Sequence, residues 1–357
     1  MSGRIGKEPG ATTLKSVARH VGLSAGTVSS VLNNSPSAAH IPQATRDRIH
    51  AAARELNYRP NLLARSLRKQ RTYTLGIIAN DLGDAYTSLV IAGIEKFLRQ
   101  NDYFFISGVH HHKRDQLDAY SNMLMQRGVE GLIMVDWNAE YTPPLPTVAV
   151  SGHRQSENVT NIVLNHHGAI FSGLKHLVDL GHREIAFMRG HPASADAETR
   201  WQAICEIAPQ FGITVRDELV IQFDVEEFSP ELGYPFAKQL LSRNKPFTAL
   251  FAYNDLSAIG AMRAFQESGL RVPQDISVVG FDDIPVAVYY YPSLTTLRQP
   301  LLAMGELAAR TLVERIEGKE GSPSEIVVEG ELVVRESTGP VSASYASRKS
   351  SADLVKA

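Results

Sequence analysis

The 357-residue chain reads as a small all-α head followed by an α/β core of two parallel-sheet subdomains. Three observations predict this. Residues 12–58 repeat apolar side chains at helical spacing between short turn signals, whereas from Leu75 onward short apolar runs alternate with longer amphipathic stretches. Charge is divided in the same place: residues 1–71 hold 12 Lys and Arg against Glu8, Asp47 and Glu55, and the remainder is acidic enough to bring the net charge to −2. A basic head on an acidic body is the electrostatic pattern of a nucleic-acid module joined to something else.

Length and composition bound the rest. The chain is long for one compact domain, and 43% hydrophobic with 21% charged residues is the balance of an ordinary globular protein. The single Cys205 rules out an intrachain disulfide, MSGRIGKEPG lacks the apolar centre of a signal peptide, and no apolar run is long enough to span a bilayer. A cytoplasmic location is expected.

In the head, LKSVARHVG places Leu14, Val17, Ala18 and Val21 on one helical face, with Thr12 or Thr13 as N-cap and Gly22 as terminator. Ser24 caps a second helix whose buried face is Val28, Val31 and Leu32, ended by Asn33, Asn34, Ser35 and Pro36. Two short helices joined by a tight glycine turn form a helix-turn-helix. The stretch GLSAG also fits the G-x-S-x-G pattern of a hydrolase nucleophile elbow, but that elbow needs a strand before the serine and, in its usual fold, a histidine late in the chain. Here the preceding period is helical and the last histidine is His191, so Ser24 is read as a helix cap.

A third helix follows Pro42, with Ile49, Ala52, Ala53 and Leu56 as its stripe and Asn57 at its left-handed end. Next, Pro60 opens a short helix from about Asn61 to Arg68. Roughly two turns are too few to persist alone in water, so this segment is expected to order only against a partner. The core then presents the apolar runs TLGIIA, YFFISGV, GLIMV, TVAV, EIAFMRG, TALFAY and ISVVGF, which with helices between them imply parallel sheets.

From Thr12 to about Pro340 the chain resembles a lactose-repressor/galactose-repressor family transcription regulator. The motifs carrying the resemblance are TLKSVARHVGLSAGTVSSVLN, ATRDRIHAAARELNYRPNLLARSL, HLVDLGHREIAFMRG, NDLSAIGAMRAF, DISVVGFDDIP, LTTLRQP and VRESTGP. The resemblance implies a helix-turn-helix DNA-binding domain at 12–58, a hinge helix and linker at 59–72, and at 73–340 a periplasmic-binding-protein-like core that binds an effector and dimerises. Residues 1–11 and 341–357 are expected to be disordered, and the tail lacks the leucine heptad of a tetramerising coiled coil.

The implied roles follow the motifs. Ala25, Gly26 and Ser30 face bases in the major groove, while Thr27 and Ser29 hold phosphates; Thr13 and Asn34 complete this DNA-facing set. Many relatives carry arginine where this chain has Ser30, and a serine discriminates bases less well than a bidentate guanidinium. Leu67 is the side chain wedged between base pairs in the minor groove, with Ala64 packing nearby and Arg68 lining the groove, so that sequence is also read through deformability. In the cleft between subdomains, the ligand-facing set is Tyr86, Thr87, Ser151, Arg200, Phe228, Asn254, Asp282 and Gln299. Bland roles compete: Phe228 as core, Arg200 and Asp282 as a structural ion pair, Asn254 as a helix cap.

Ser151 stands where some sugar- and purine-binding relatives have aspartate, Leu164 occupies another frequent aspartate position, and Ala203 replaces a common glycine. Both a sugar-like and a nucleobase-like ligand remain open. No cofactor and no metal are expected: His110, His111 and His112 are adjacent in an extended segment and are read as a solvated loop. The expected protein is a homodimeric repressor on a near-palindromic operator, with the effector acting either as inducer or as corepressor. Two other classes share the core: a solute-binding receptor, which has no use for the basic head, and a hydrolase or sugar-modifying enzyme, for which no nucleophile and base can be assembled.

Overall fold

The computed structural model describes residues 12–33, 35–58, 66, 70–111, 113–137, 144–153, 155–223, 230–319 and 323–342. The chain forms two compact units, residues 1–72 and 73–357. The expected hinge helix, with Ala64, Leu67 and Arg68, lies outside the described residues, as do Asn34 and Phe228.

The first unit is built from α1 (Leu14–Val21), α2 (Ala25–Leu32) and α3 (Gln43–Glu55). Thr13 begins α1: its Oγ1 accepts from the Ser16 backbone N–H at 3.3 Å, and the Thr13 N–H donates back to Ser16 Oγ. Gly22 ends it with φ +66, a conformation glycine adopts without the Cβ penalty. Ser24 Oγ then accepts from the Thr27 N–H at 3.0 Å, which is a cap's bond. Val17, Val28 and Ile49 are fully buried where the helices meet, and burial of side chains this size contributes about 1.5–3 kcal/mol each. Thr12 Oγ1 donates to Leu56 O at 2.9 Å and so ties the beginning of the unit to its end.

In the second unit, β1 (Thr74–Ala79), β2 (Phe104–Val109), β3 (Leu132–Val135), β4 (Thr147–Val150), β5 (Val159–Leu164) and β11 (Glu325–Val328) make one sheet, in the order β11-β5-β4-β3-β1-β2. All of its pairings are parallel. The other sheet joins β6 (Ile185–Arg189), β7 (Val220–Gln222), β8 (Ala249–Phe251), β9 (Ser277–Asp282), β10 (Thr295–Arg298) and β12 (Glu331–Val333), in the order β12-β10-β9-β8-β6-β7. Its one antiparallel pair is β10 with β12. The strands that helices cover on both faces are apolar at nearly every position; β1 and β3, for example, are buried almost throughout.

Helices α4 (Ala85–Gln100), α5 (Arg114–Gln126) and α11 (Leu301–Ile316) belong to the first sheet. Helices α6 (His166–Asp179), α7 (Ala195–Ile207), α8 (Pro230–Ser242), α9 (Asp255–Glu267) and the short α10 (Val286–Tyr289) belong to the second. The chain therefore crosses between subdomains at 165, at 299–300 and at 329–330. These crossings lie side by side: the Asn165 backbone N–H donates to Val328 O at 2.8 Å, and its side-chain amide donates to Glu329 at 3.0 Å.

Arg200, expected just ahead of the helix that follows EIAFMRG, lies inside α7, and a second expectation also needs correction. His110 is not in a solvated loop: it is buried at the end of β2, its N–H donates to Ala79 O at 3.0 Å, and burial pushes its imidazole down to about 4. It is the backbone pairing of 110 with β1 that draws this histidine inward, while His111 is exposed in a left-handed turn.

Candidate functional site

The cleft between the two sheets is formed by the carboxyl ends of their strands, where ligands sit in open α/β folds. Asn80 and Asp81 follow β1, Asp136 follows β3, Ser151 follows β4, and Asp282 ends β9. Asp136, Ser151 and Asp282 all have positive φ (+56, +55 and +110), an arrangement that costs on the order of 1–3 kcal/mol for each non-glycine residue. The turns that carry this strain are those that aim polar side chains into the cleft. Helices supply further lining residues: Tyr86 and Thr87 from the first turn of α4, Asp196 from the first turn of α7 and Arg200 from its second.

Hydrogen bonds run across the cleft. Tyr86 and Ser151 share one at 2.5 Å between their hydroxyls, and Ser151 Oγ donates to Asp196 Oδ2 at 2.9 Å. This joins α4 and β4 of the first subdomain to α7 of the second. A parallel link starts at Asp136, whose Oδ1 accepts from the Ala195 N–H at 2.7 Å and from Ser194 Oγ at 3.1 Å. Ser194 also shares a bond with the Tyr253 hydroxyl at 2.8 Å.

Arg200 fills the centre of the site. Its guanidinium lies 3.6 Å from the Phe281 ring centre and 4.7 Å from that of Tyr253, and it donates to Tyr253 O. Asp196 is 3.9 Å away, so the ion pair of Arg200 is with Asp196; the Asp282 carboxylate accepts instead from Gln299 Nε2 at 2.7 Å. Asn254 caps α9, with Oδ1 accepting from the Ser257 N–H at 2.9 Å, and also lines the cleft. Tyr86, Thr87, Ser151, Arg200, Asn254 and Asp282 are thus brought together, and Gln299 stands behind them on Asp282.

The electrostatics are uneven. Burial, and then the neighbouring Asp196 charge, push the Asp136 carboxyl up to about 7. Burial likewise raises Asp282 well above the usual carboxylate range. Burial alone would raise Asp196 too, but His166 and His153 hold it well below. The Tyr86 hydroxyl is raised by burial and then by Asp196. Sequence reasoning passed over Asp136, Ser194, Asp196 and Tyr253. The signal that would have found Asp136 is its place directly after the apolar run GLIMV, one step beyond a strand's carboxyl end.

On the head, Ala25, Gly26, Thr27, Ser29 and Ser30 lie on α2, and Thr13 is at the start of α1. Several hydroxyls there are engaged locally. Ser37 Oγ donates to Ser30 Oγ at 3.1 Å, Thr27 Oγ1 lies 2.9 Å from Ser24 Oγ, and Asn33 Nδ2 donates to Ser29 Oγ at 3.2 Å. Gly26 is exposed, and a Cβ built on it would meet nothing nearer than Ser24 Oγ at 3.6 Å. The fold itself does not require a glycine there.

Residues 13–61 match the family described as bacterial regulatory proteins of the lacI family, and residues 174–338 match the periplasmic binding protein-like domain. The HTH-type transcriptional repressor PurR of Yersinia enterocolitica is 34% identical over 337 residues, covering 91% of this chain and 96% of that protein. The lac repressor dimer bound to operator and an anti-inducer superposes with a TM-score of 0.78 at 28% identity, over 92% of this chain and 99% of that one. A CelR–cellobiose complex superposes at 0.68 and 29%, over 91% and 99%. With a helix-turn-helix head, a two-sheet core and these similarities along nearly its whole length, the chain belongs to the LacI family of DNA-binding transcriptional regulators.

Proposed function

We propose that this chain is a cytoplasmic repressor that binds a near-palindromic operator as a homodimer, under the control of a carbohydrate-like ligand in the cleft. The observation that carries the ligand class is the carboxyl-rich composition of the lining. Asp81, Asp84, Asp136, Asp196 and Asp282 stand against Arg200, and that guanidinium is already stacked on Phe281 and Tyr253. Such a lining hydrogen-bonds hydroxyls and offers an anion little positive charge, and the guanidinium already covers the Phe281 and Tyr253 rings on which a nucleobase would stack. Relatives described with cellobiose and with ribose support the same class, and the operator-bound lac repressor dimer supports the assembly.

In this reading Ala25, Gly26 and Ser30 face base edges, Thr13, Thr27, Ser29 and Asn34 face phosphates, and Ala64, Leu67 and Arg68 act in the minor groove. The ligand contacts are Tyr86, Thr87, Ser151, Arg200, Phe228, Asn254 and Asp282, with Gln299 positioning Asp282. The test begins with selection of bound duplexes from a random pool. The retained operator is then challenged with neutral sugars, purines and sugar phosphates. A palindrome whose retention is changed by a neutral sugar is the expected result; a response confined to purines or to sugar phosphates would overturn the ligand class, and a selected site without two-fold symmetry would overturn the dimer.

A further inference from the structure

At the rim of the cleft, His153, His166 and Asp196 bring one ligand atom each to within 4.8 Å of one another. His153 Nε2 is 2.7 Å from Asp196 Oδ1, and His166 Nε2 is 3.1 Å from the same oxygen. The His166 contact is not a hydrogen bond in direction: among the described residues, neither ring nitrogen of this buried side chain has a hydrogen-bond partner. Two imidazoles therefore converge on one carboxylate oxygen, and one of them is turned off the line between the two atoms. The carboxylate is itself oriented from behind, since Ser151 Oγ donates to Asp196 Oδ2 at 2.9 Å and Arg200 stands 3.9 Å from it. A carboxylate tied on one oxygen and faced by two imidazoles on the other has the first and outer shells of a metal ligand set.

We propose that His153, His166 and Asp196 bind a divalent transition-metal ion of the zinc, cobalt or nickel kind. Two imidazole nitrogens and one carboxylate oxygen suit such ions and not magnesium or calcium, which prefer all-oxygen shells. In a tetrahedral site the ligand atoms are about 3.4 Å apart, so entry of an ion asks His153 Nε2 and His166 Nε2 to draw away from Asp196 Oδ1 by about 0.7 and 0.3 Å. Three protein ligands leave a fourth position for a water or another ligand. The ion would also add positive charge beside the ionised Asp196, in a cleft where Arg200 is the one permanent cation among the described lining residues. The three ligands come from the loop after β4, the first turn of α6 and the first turn of α7, so the ion would clasp the first subdomain to the second. The proposal rests on these side chains and not on the class of the cleft ligand.

The test is calorimetric titration of zinc into chelator-stripped full-length protein at neutral pH, repeated with His153→Ala, Asp196→Asn, Ser151→Ala and, as a control, His111→Ala. One equivalent per chain is expected for the wild type and for His111→Ala. Ser151→Ala should weaken uptake about 10–100-fold and loss of a ligand by at least as much. His153 is only partly buried, so its variant should keep the melting transition of the wild type even if Asp196→Asn unfolds. Failure of the wild type to take up one equivalent, or equal uptake by His153→Ala, would overturn the site. Neither outcome touches the sugar reading, which is decided by operator release in metal-free buffer.

Discussion

Asp136 and Asp196 are two carboxylates on facing sides of one cleft, driven in opposite directions by their neighbours. Asp196 stays ionised beside two histidines, whereas Asp136, raised to about 7, changes charge near neutrality. A carboxyl whose pKa is higher folded than unfolded stabilises the fold below its unfolded value, near 4, and that contribution is lost as pH climbs through about 7. Buried Asp255, also near 7, acts in the same sense. Buried His110, lowered to about 4, acts in the opposite sense up to about pH 6.5, so the denaturation midpoint should fall between about pH 6.5 and 8, and less steeply in Asp136→Asn. An identical slope in wild type and variant would show that Asp136 does not titrate in that window. At this scale the sequence was informative about which residue types matter and silent about their neighbours. Tyr86, Ser151 and Arg200 could be nominated singly, but the bonds from Tyr86 to Ser151 to Asp196 join residues up to 110 positions apart in number, and no local pattern encodes them.

Among the elements, α2 is a poor helix by composition: its eight residues include Gly26, two serines and a threonine. Space for a Cβ at Gly26 is open, so Gly26→Ala should stabilise the head by about 0.5–1 kcal/mol through helix propensity alone. If the bare backbone at this point is what lies against DNA, the same substitution should weaken operator binding. Thermal melting and operator titration on one variant separate the two effects, and a variant that is more stable and binds as well as the wild type would remove Gly26 from the interface. Elements with a strong apolar period or run were legible: α1, α2, α3 and the strands β1, β2, β3, β4, β6, β8 and β9 all fall where the pattern put them. The strands β5, β7, β10, β11 and β12 are not among those apolar runs. VTNIVL is interrupted by polar residues, and β7, β11 and β12 are short edge segments whose pairing with a distant strand makes them strands at all. The contact of α4 with α11 was equally hidden. A Cβ at Gly93 would lie 2.0 Å from Leu302 O and one at Gly305 2.0 Å from Val90 O, so two glycines more than two hundred residues apart together allow two helix backbones to touch.

For the whole molecule, the two compact units imply separable labour. A fragment of residues 73–342 should fold and bind the cleft ligand with the affinity of the intact chain while losing DNA. A fragment that folds but binds the ligand more weakly would mean that residues 1–72 contribute to the cleft. The sequence by itself determined the class of protein: a basic helical head, an acidic α/β core, the caps Thr13 and Ser24, and the motif set that marks the family. These depend on periodicity, charge and turn chemistry, which act over a few residues and can be read in order. Only the tertiary structure decided what the cleft is made of. Its acidic lining, the guanidinium set against Phe281 and Tyr253, and the meeting of His153 and His166 on Asp196 arise because parallel strands bring their carboxyl ends together however far apart they lie in the chain.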